Sequence, residues 1–148
     1  CPVNLYYDTA SLEAQHGFTR LSADMTAWQI HGGDYTSLPW PLQQELFRRA
    51  SAALDNALAL ALDRGESVVV DSTMCKLKRR RAMRDICLSH GADPLLVYMS
   101  ATYETLRSRL ARRQGDGPDD IIIDDDRLRS FCEGFEVPGD GESPFVFD

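Results

Sequence analysis

The run Val68-Val69-Val70-Asp71-Ser72-Thr73 carries three β-branched residues into an acid and two hydroxyls. Such a run suits a parallel strand buried on both faces. A carboxylate at the carboxyl end of that strand sits in the crevice where open α/β sheets bind ligands. There Asp71 can hold Mg²⁺ through water or orient an acceptor group, or it can cap the next turn with help from Ser72 and Thr73. Asp24 stands just past Phe18-Thr19-Arg20-Leu21-Ser22. It can accept a proton from an incoming hydroxyl, or cap the helix that follows. Arg109 and Arg113 are four residues apart and are expected on one helical face. Their forked guanidinium groups suit phosphate oxygens, and a solvated helix C-terminus is the other reading. Together these types point to phosphate handling.

The remaining charged residues carry less. Lys76, Lys78, Arg79, Arg80 and Arg81 form the densest basic cluster, either a contact for an anionic substrate or an exposed helix face. Asp119, Asp120, Asp124, Asp125 and Asp126 form an acidic run without the alternating ligands and glycine of a calcium loop, and read as a solvated loop and helix start. His16, His31 and His90 show no metal-ligand spacing. Ser72 lacks a G-x-S-x-G context. Cys1, Cys75, Cys87 and Cys132 include no C-x-x-C pair and read as buried or free cytosolic thiols. A net charge of −7 opposes a broad nucleic-acid surface but permits a local basic pocket. No run is long and apolar enough for a membrane span, and no secretory signal is visible, so a cytoplasmic protein without a membrane partner is expected.

These residues need strands and helices to position them. Phe18 to Ser22 reads as a short strand entered through Gly17, with a helix from about Met25 to Ile30 and a break at His31-Gly32-Gly33-Asp34. A long helix from Pro39 or Pro41 to Asp63 has one apolar stripe: Leu42, Leu46, Ala50, Ala53, Leu54, Ala57, Leu58, Ala61 and Leu62. Strand Ser67–Asp71 follows, then a helix over 76–89 with Leu77, Met83, Ile86 and Cys87 inward. Leu95 to Met99 is the third strand, and Thr102 caps a helix to Arg113. Gln114 to Asp120 reads as a mobile loop, 124–133 as a short helix and 135–148 as an irregular tail. The alternation of strands and helices predicts a three-layer α/β/α sandwich with a mostly parallel sheet. One domain over 1–148 is expected, large enough for a real core. A central first strand is missing from this pattern, and Val3 to Tyr7 is a poor substitute.

In this order the parts resemble the P-loop kinases of the polynucleotide kinase and zeta-toxin type, small bacterial proteins often grouped with AAA-family ATPases. The likeness covers about Gln15 to Glu142. His16 to Asp24 is similar to the second strand and acceptor-activating Asp of that family. Gly65 to Thr73 is similar to its G-x-x-V-h-h-D-x-T/N strand. Leu106 to Arg113 is similar to its lid helix, and Phe135-Glu136-Val137-Pro138 with Glu142 is similar to its F-E-x-P…E tail. The resemblance implies a P-loop NTPase-like fold with a lid at about 102–120. It implies an ATP- and Mg²⁺-dependent phosphotransferase acting on a hydroxyl of a nucleic-acid end, a nucleotide or a small molecule. Asp24, Arg109 and Arg113 would be catalytic. Ser22, Asp71, Thr73 and Arg79 would contact substrate, Asp71 would serve the metal, and Arg109, Arg113, Thr9 and Ser11 would contact the nucleotide.

One departure is large. The family's G-x-x-x-x-G-K-[ST] loop cradles phosphates through backbone N–H groups, Lys and a hydroxyl. Residues 1–15 contain no glycine and no lysine; Tyr6, Tyr7 and Asp8 stand there instead, with Thr9 or Ser11 to offer a hydroxyl. A family arginine that follows the acceptor Asp is also absent, with Ala27 about there. Three accounts fit: an N-terminus missing or misrepresented, which the abrupt start at Cys1 favours, a non-catalytic relative used for binding or assembly, or an unusual nucleotide site. A receiver-like signalling domain would need a Lys late in the chain, and none follows Lys78.

Overall fold

The computed structural model describes residues 9–147. The element order is α1 (Thr9–His16), β1 (Thr19–Ser22), α2 (Ala23–His31), α3 (Trp40–Asp63), β2 (Val68–Asp71), α4 (Leu77–Ser89), β3 (Val97–Met99), α5 (Tyr103–Leu110), α6 (Asp125–Gly134) and β4 (Phe145–Phe147). Short 3₁₀ turns lie at Pro118–Asp120 and Asp140–Glu142. The α/β class is as expected, and both strand pairs are parallel. β1 pairs with β2, and β3 pairs with β4, as two separate ladders among the described residues. The candidate substitute strand at Val3 to Tyr7 lies outside the described residues.

α3 is the spine. Its buried residues are Gln43, Leu46, Ala50, Leu54, Leu58 and Ala61, recurring at three- and four-residue steps on one face. The first half of that face packs on Ala27, Tyr35 and Ile121. The second half packs on Met83 and Cys87 of α4 and reaches Val68 and Val70 of β2. Burial pushes the Cys87 thiol pKa up. Two expected stripe members are displaced: Leu42 and Ala53 are exposed, and near the first of them Gln43 points inward instead. The reason is local. The Gln43 Nε2 amide donates to the carbonyls of Thr36 and Leu38, at 3.1 and 2.8 Å, and so ties the 36–38 turn to the helix.

Three further expectations change. The tail is not wholly irregular, since Phe145–Phe147 pairs in parallel with Val97–Met99. Residues 9–16, to which the sequence pattern gave no element, form a helix that touches β1 and β2. The 114–120 loop is organised by one carboxylate: Asp120 Oδ2 accepts from the N–H groups of Gln114, Gly115 and Asp116 at 2.8, 3.0 and 3.4 Å.

Leu58→Ala should cost about 2–5 kcal/mol, because Leu58 is 1% exposed at the centre of the α3–α4 contact. Urea unfolding reads this directly, and a loss under about 1 kcal/mol would remove Leu58 from the core.

Candidate functional site

The site begins with register. Thr19 aligns with Val68, Arg20 with Val69, Leu21 with Val70 and Ser22 with Asp71. Both strands therefore end level, and Asp24 and Asp71 leave the sheet at the same edge. This is the carboxyl-end crevice where α/β sheets take ligands.

Ser22 takes the capping role considered for Asp24. It is the N-cap of α2, and its Oγ accepts from Met25 N–H at 3.2 Å. Its hydroxyl is thus spent on the backbone, and Ser22 is buried. Asp24 is released from capping. Its Oδ1 accepts from the Tyr35 hydroxyl at 3.2 Å. Tyr35 is 2% exposed and packs edge-on against Phe47. Asp24 keeps a face open to solvent, yet packed protein on its other sides raises its carboxyl pKa above the ordinary value. Tyr35 opposes that rise, Asp71 and Asp119 add to it, and Arg113 opposes it. Those groups are thus within electrostatic reach of one another.

Asp71 is joined to Thr9. The Thr9 hydroxyl, at the first residue of α1, donates to Asp71 Oδ2 at 2.6 Å. Ser11 lies one half-turn on, half-buried in α1. Arg20, which spacing alone did not single out, closes the group. Its Nη2 donates to Asp71 Oδ2 at 2.8 Å, and its Nε donates to Thr9 Oγ1 at 2.9 Å. The guanidinium also makes a two-pronged pair with Asp119, at 3.0 and 2.7 Å. Asp119 is therefore not merely part of a solvated acidic run. Both carboxylates raise the pKa of Arg20, which fixes it as a cation.

The lid arginines separate. α5 ends at Leu110, so Arg113 lies in the following turn rather than on one helical face with Arg109. Arg113 is half-buried and its Nη1 donates to the Ile121 carbonyl at 2.9 Å, while Arg109 is exposed. Arg113 also lines a cavity of about 260 Å³ with Leu110, Ile122, Ile123 and Leu128. Thr73 is exposed in the loop after β2. Arg79 is paired two-pronged with Asp55 of α3, at 2.8 and 2.7 Å, and does not join the Thr9–Arg20–Asp71 group.

The tail braces that loop. Glu136 Oε2 accepts from Leu77 N–H at 2.7 Å, and so caps α4 from outside, since Lys76 supplies no side-chain cap. Glu142 takes the nearly buried Arg80 through Nε and Nη2 at 2.6 and 2.9 Å. Arg80 Nη1 then donates to the carbonyl of Met74 at 3.0 Å, which is held at φ 39°. A positive φ at a residue with a side chain carries strain, and the clamp fixes it two residues beyond Ser72.

Among the described residues, no group of three or more His, Cys, Asp or Glu side chains is disposed to hold a metal ion. The Thr9 hydroxyl with the Asp71 carboxylate nonetheless suits Mg²⁺. That ion is ordinarily held by one or two protein oxygens and completes its shell with water and substrate phosphate. Among the described residues no helix is long and apolar enough to cross a membrane.

The raised Asp24 pKa makes a prediction about stability. Between the unfolded value, about 3.9, and the higher folded value, the native state binds more protons, so stability falls as pH rises. Asp24→Asn keeps an acceptor for Tyr35 and removes the partly desolvated charge. The variant should be more stable than the unmodified chain at about pH 7, and the gain should vanish at about pH 3. Urea midpoints at both pH values decide it; equal or lower stability at the higher pH contradicts the desolvation account.

Residues 9–138, most of the chain, match a protein family described as AAA domain. Among curated proteins, none matches the chain. Among solved structures, the chain is similar to a gluconokinase from Sinorhizobium meliloti 1021, at 20% identity and a TM-score of 0.61. The match covers 95% of this chain and 72% of that one. At that identity the likeness speaks for the fold, which agrees with the parallel α/β architecture and the P-loop kinase resemblance of the strand and lid motifs. The extent of the family match settles membership: the chain belongs to the AAA domain family.

Proposed function

We propose that this chain is a phosphotransferase of the P-loop kinase type, moving a phosphoryl group from ATP to a hydroxyl. The observation that carries the reading is the 2.6 Å bond between Thr9 and Asp71 at the level ends of β1 and β2. Asp71 and Thr9 would hold Mg²⁺ between them. Asp24 would take the proton of the acceptor hydroxyl, and the upward shift of its pKa makes its carboxylate a stronger base. Arg113, with Arg109 beside it in sequence, would face the donor phosphates, and Thr73 would contact the acceptor. Mg·ATP, when bound, supplies the transferred group and neutralises part of its charge. A small hydroxyl-bearing acceptor is the preferred class. The similar solved structure is a gluconokinase, and a net charge of −7 opposes a nucleic-acid surface.

A second reading has its own support. Residues 1–15 lack glycine and lysine, and Arg20 already answers the charge of Asp71. Both features favour a binding or assembly protein that has lost transfer. Calorimetry with Mg·ATP separates the two, using Arg113→Ala as the control. The kinase reading expects binding that weakens by about tenfold in the variant, as befits loss of a charge-assisted phosphate contact. It further expects Asp24→Asn to lose turnover on a small-alcohol panel while keeping its fold. Absence of nucleotide binding fits both the second reading and a chain that lacks part of its N-terminus, and the same titration on the full gene product separates those two.

A further inference from the structure

Arg20 rises from the middle of β1, and its side chain is 11% exposed. Asp119 grips the guanidinium two-pronged, at 2.7 and 3.0 Å, which leaves other N–H donors to be satisfied. Arg20 spends further contacts on the candidate site. Nε holds Thr9 Oγ1 at 2.9 Å, and Nη2 holds Asp71 Oδ2 at 2.8 Å. Thr9 donates to the same Oδ2 at 2.6 Å. One cation therefore sits against both oxygens that would take a metal.

We infer that Arg20 is a positioning residue: it is the resident counter-cation of the Thr9–Asp71 pair and competes with a divalent cation for Asp71. The inference rests on the reading of Thr9 and Asp71 as the metal-holding pair. Two cations within about 3 Å of one carboxylate oxygen repel strongly in a partly desolvated site, so occupancy by one weakens the other. Displacement from Asp71 does not strand the guanidinium, because both bonds to Asp119 remain. Asp119 belongs to the turn that follows α5. By linkage, whatever tightens Arg20 on Asp119 eases metal entry at Asp71, and metal entry in turn strengthens the hold on that turn. Without a metal, the same guanidinium keeps the Thr9 and Asp71 oxygens from drifting apart.

The test is a calorimetric titration with Mg²⁺ alone, without nucleotide, on the unmodified chain, Arg20→Gln, Asp71→Asn and the double variant. Competition predicts that Arg20→Gln binds Mg²⁺ about tenfold more tightly than the unmodified chain, a typical size for such coupling, although the variant is thermally less stable. A merely structural arginine would lower stability and affinity together, so equal or weaker binding by Arg20→Gln overturns the inference. Asp71→Asn must abolish binding in both backgrounds. If Mg²⁺ binds no differently without Asp71, or binds neither the unmodified chain nor Arg20→Gln, the metal-holding reading itself fails and takes the inference with it. Should Arg20→Gln not fold, the Arg20 Nε–H resonance of the unmodified chain serves during the same titration. A shift that saturates with the calorimetric curve supports displacement, and a resonance that stays still through saturation overturns it.

Discussion

Every functional group described above depends on one constraint, the in-register parallel pairing of β1 with β2. Ser22 lies opposite Asp71, so the chain leaves both strands at one level. A slip of one residue would turn each strand's side chains to the other face. Arg20 would then face away from Asp71. The register is itself held by what lies beneath it. Val68 and Val70 pack on Leu54, Leu58, Met83 and Cys87, which are stripes of α3 and α4. The long helix thus sets the position of the site without contributing a residue to it.

A second layer of support comes from the far end of the chain. Glu136 caps α4 and Glu142 takes Arg80, so the tail holds the segment between β2 and α4 from outside. Both acids have pKa values pulled below the ordinary range, Glu136 chiefly by the Leu77 N–H and Glu142 chiefly by Arg80. The strained Met74 and the exposed Thr73 lie in that segment. Loops that present reactive groups need such bracing, because their own backbone makes few ladder bonds. The tail motif is therefore mechanical. It fixes where the chain goes after Asp71.

Much of this was legible in the sequence. The valine run, the α3 stripe and the glycines at positions 17, 65 and 91 marked the strands and helices to within a few residues, and all three glycines adopt positive φ. The bond between Asp71 and the Thr9 hydroxyl was not legible, since the sequence offers the two as separate contacts, Thr9 for the nucleotide and Asp71 for the metal or acceptor. Other groups left no signal in spacing. Arg20 looks like an ordinary charge in a short strand, and its partners are 51 and 99 residues away. Tyr35 follows a glycine break, where a buried aromatic is not expected. β4 is three residues long and paired across the chain, too short for periodicity to separate it from a loop. Local pattern reports faces and breaks; it does not report which distant charge a guanidinium will choose.

The charges of the crevice do not cancel. Asp24, Asp71 and Asp119 share it with Arg20 and Arg113. Arg20 is committed to Asp71 and Asp119, where its bonds are short. Arg113 is bound to a carbonyl and acts on Asp24 only through space. Asp24 is bonded to neither arginine, and part of its carboxyl lies against packed protein. That is why burial is the first cause of its raised pKa, and why the Tyr35 hydroxyl only partly offsets it. Tyr35 meets the converse effect, with its own pKa raised by burial and by the Asp24 charge beside it. It remains a hydrogen-bond donor throughout the range in which Asp24 titrates. The shifts of Asp24 and of its Tyr35 donor thus come from the same packed region, formed where α2 meets α3. Any added positive charge on Asp71 would draw Asp24 toward its ionised form, in the same sense as Arg113. The acid at the end of β2 thus acts through space on the acid after β1, although no bond joins the two side chains.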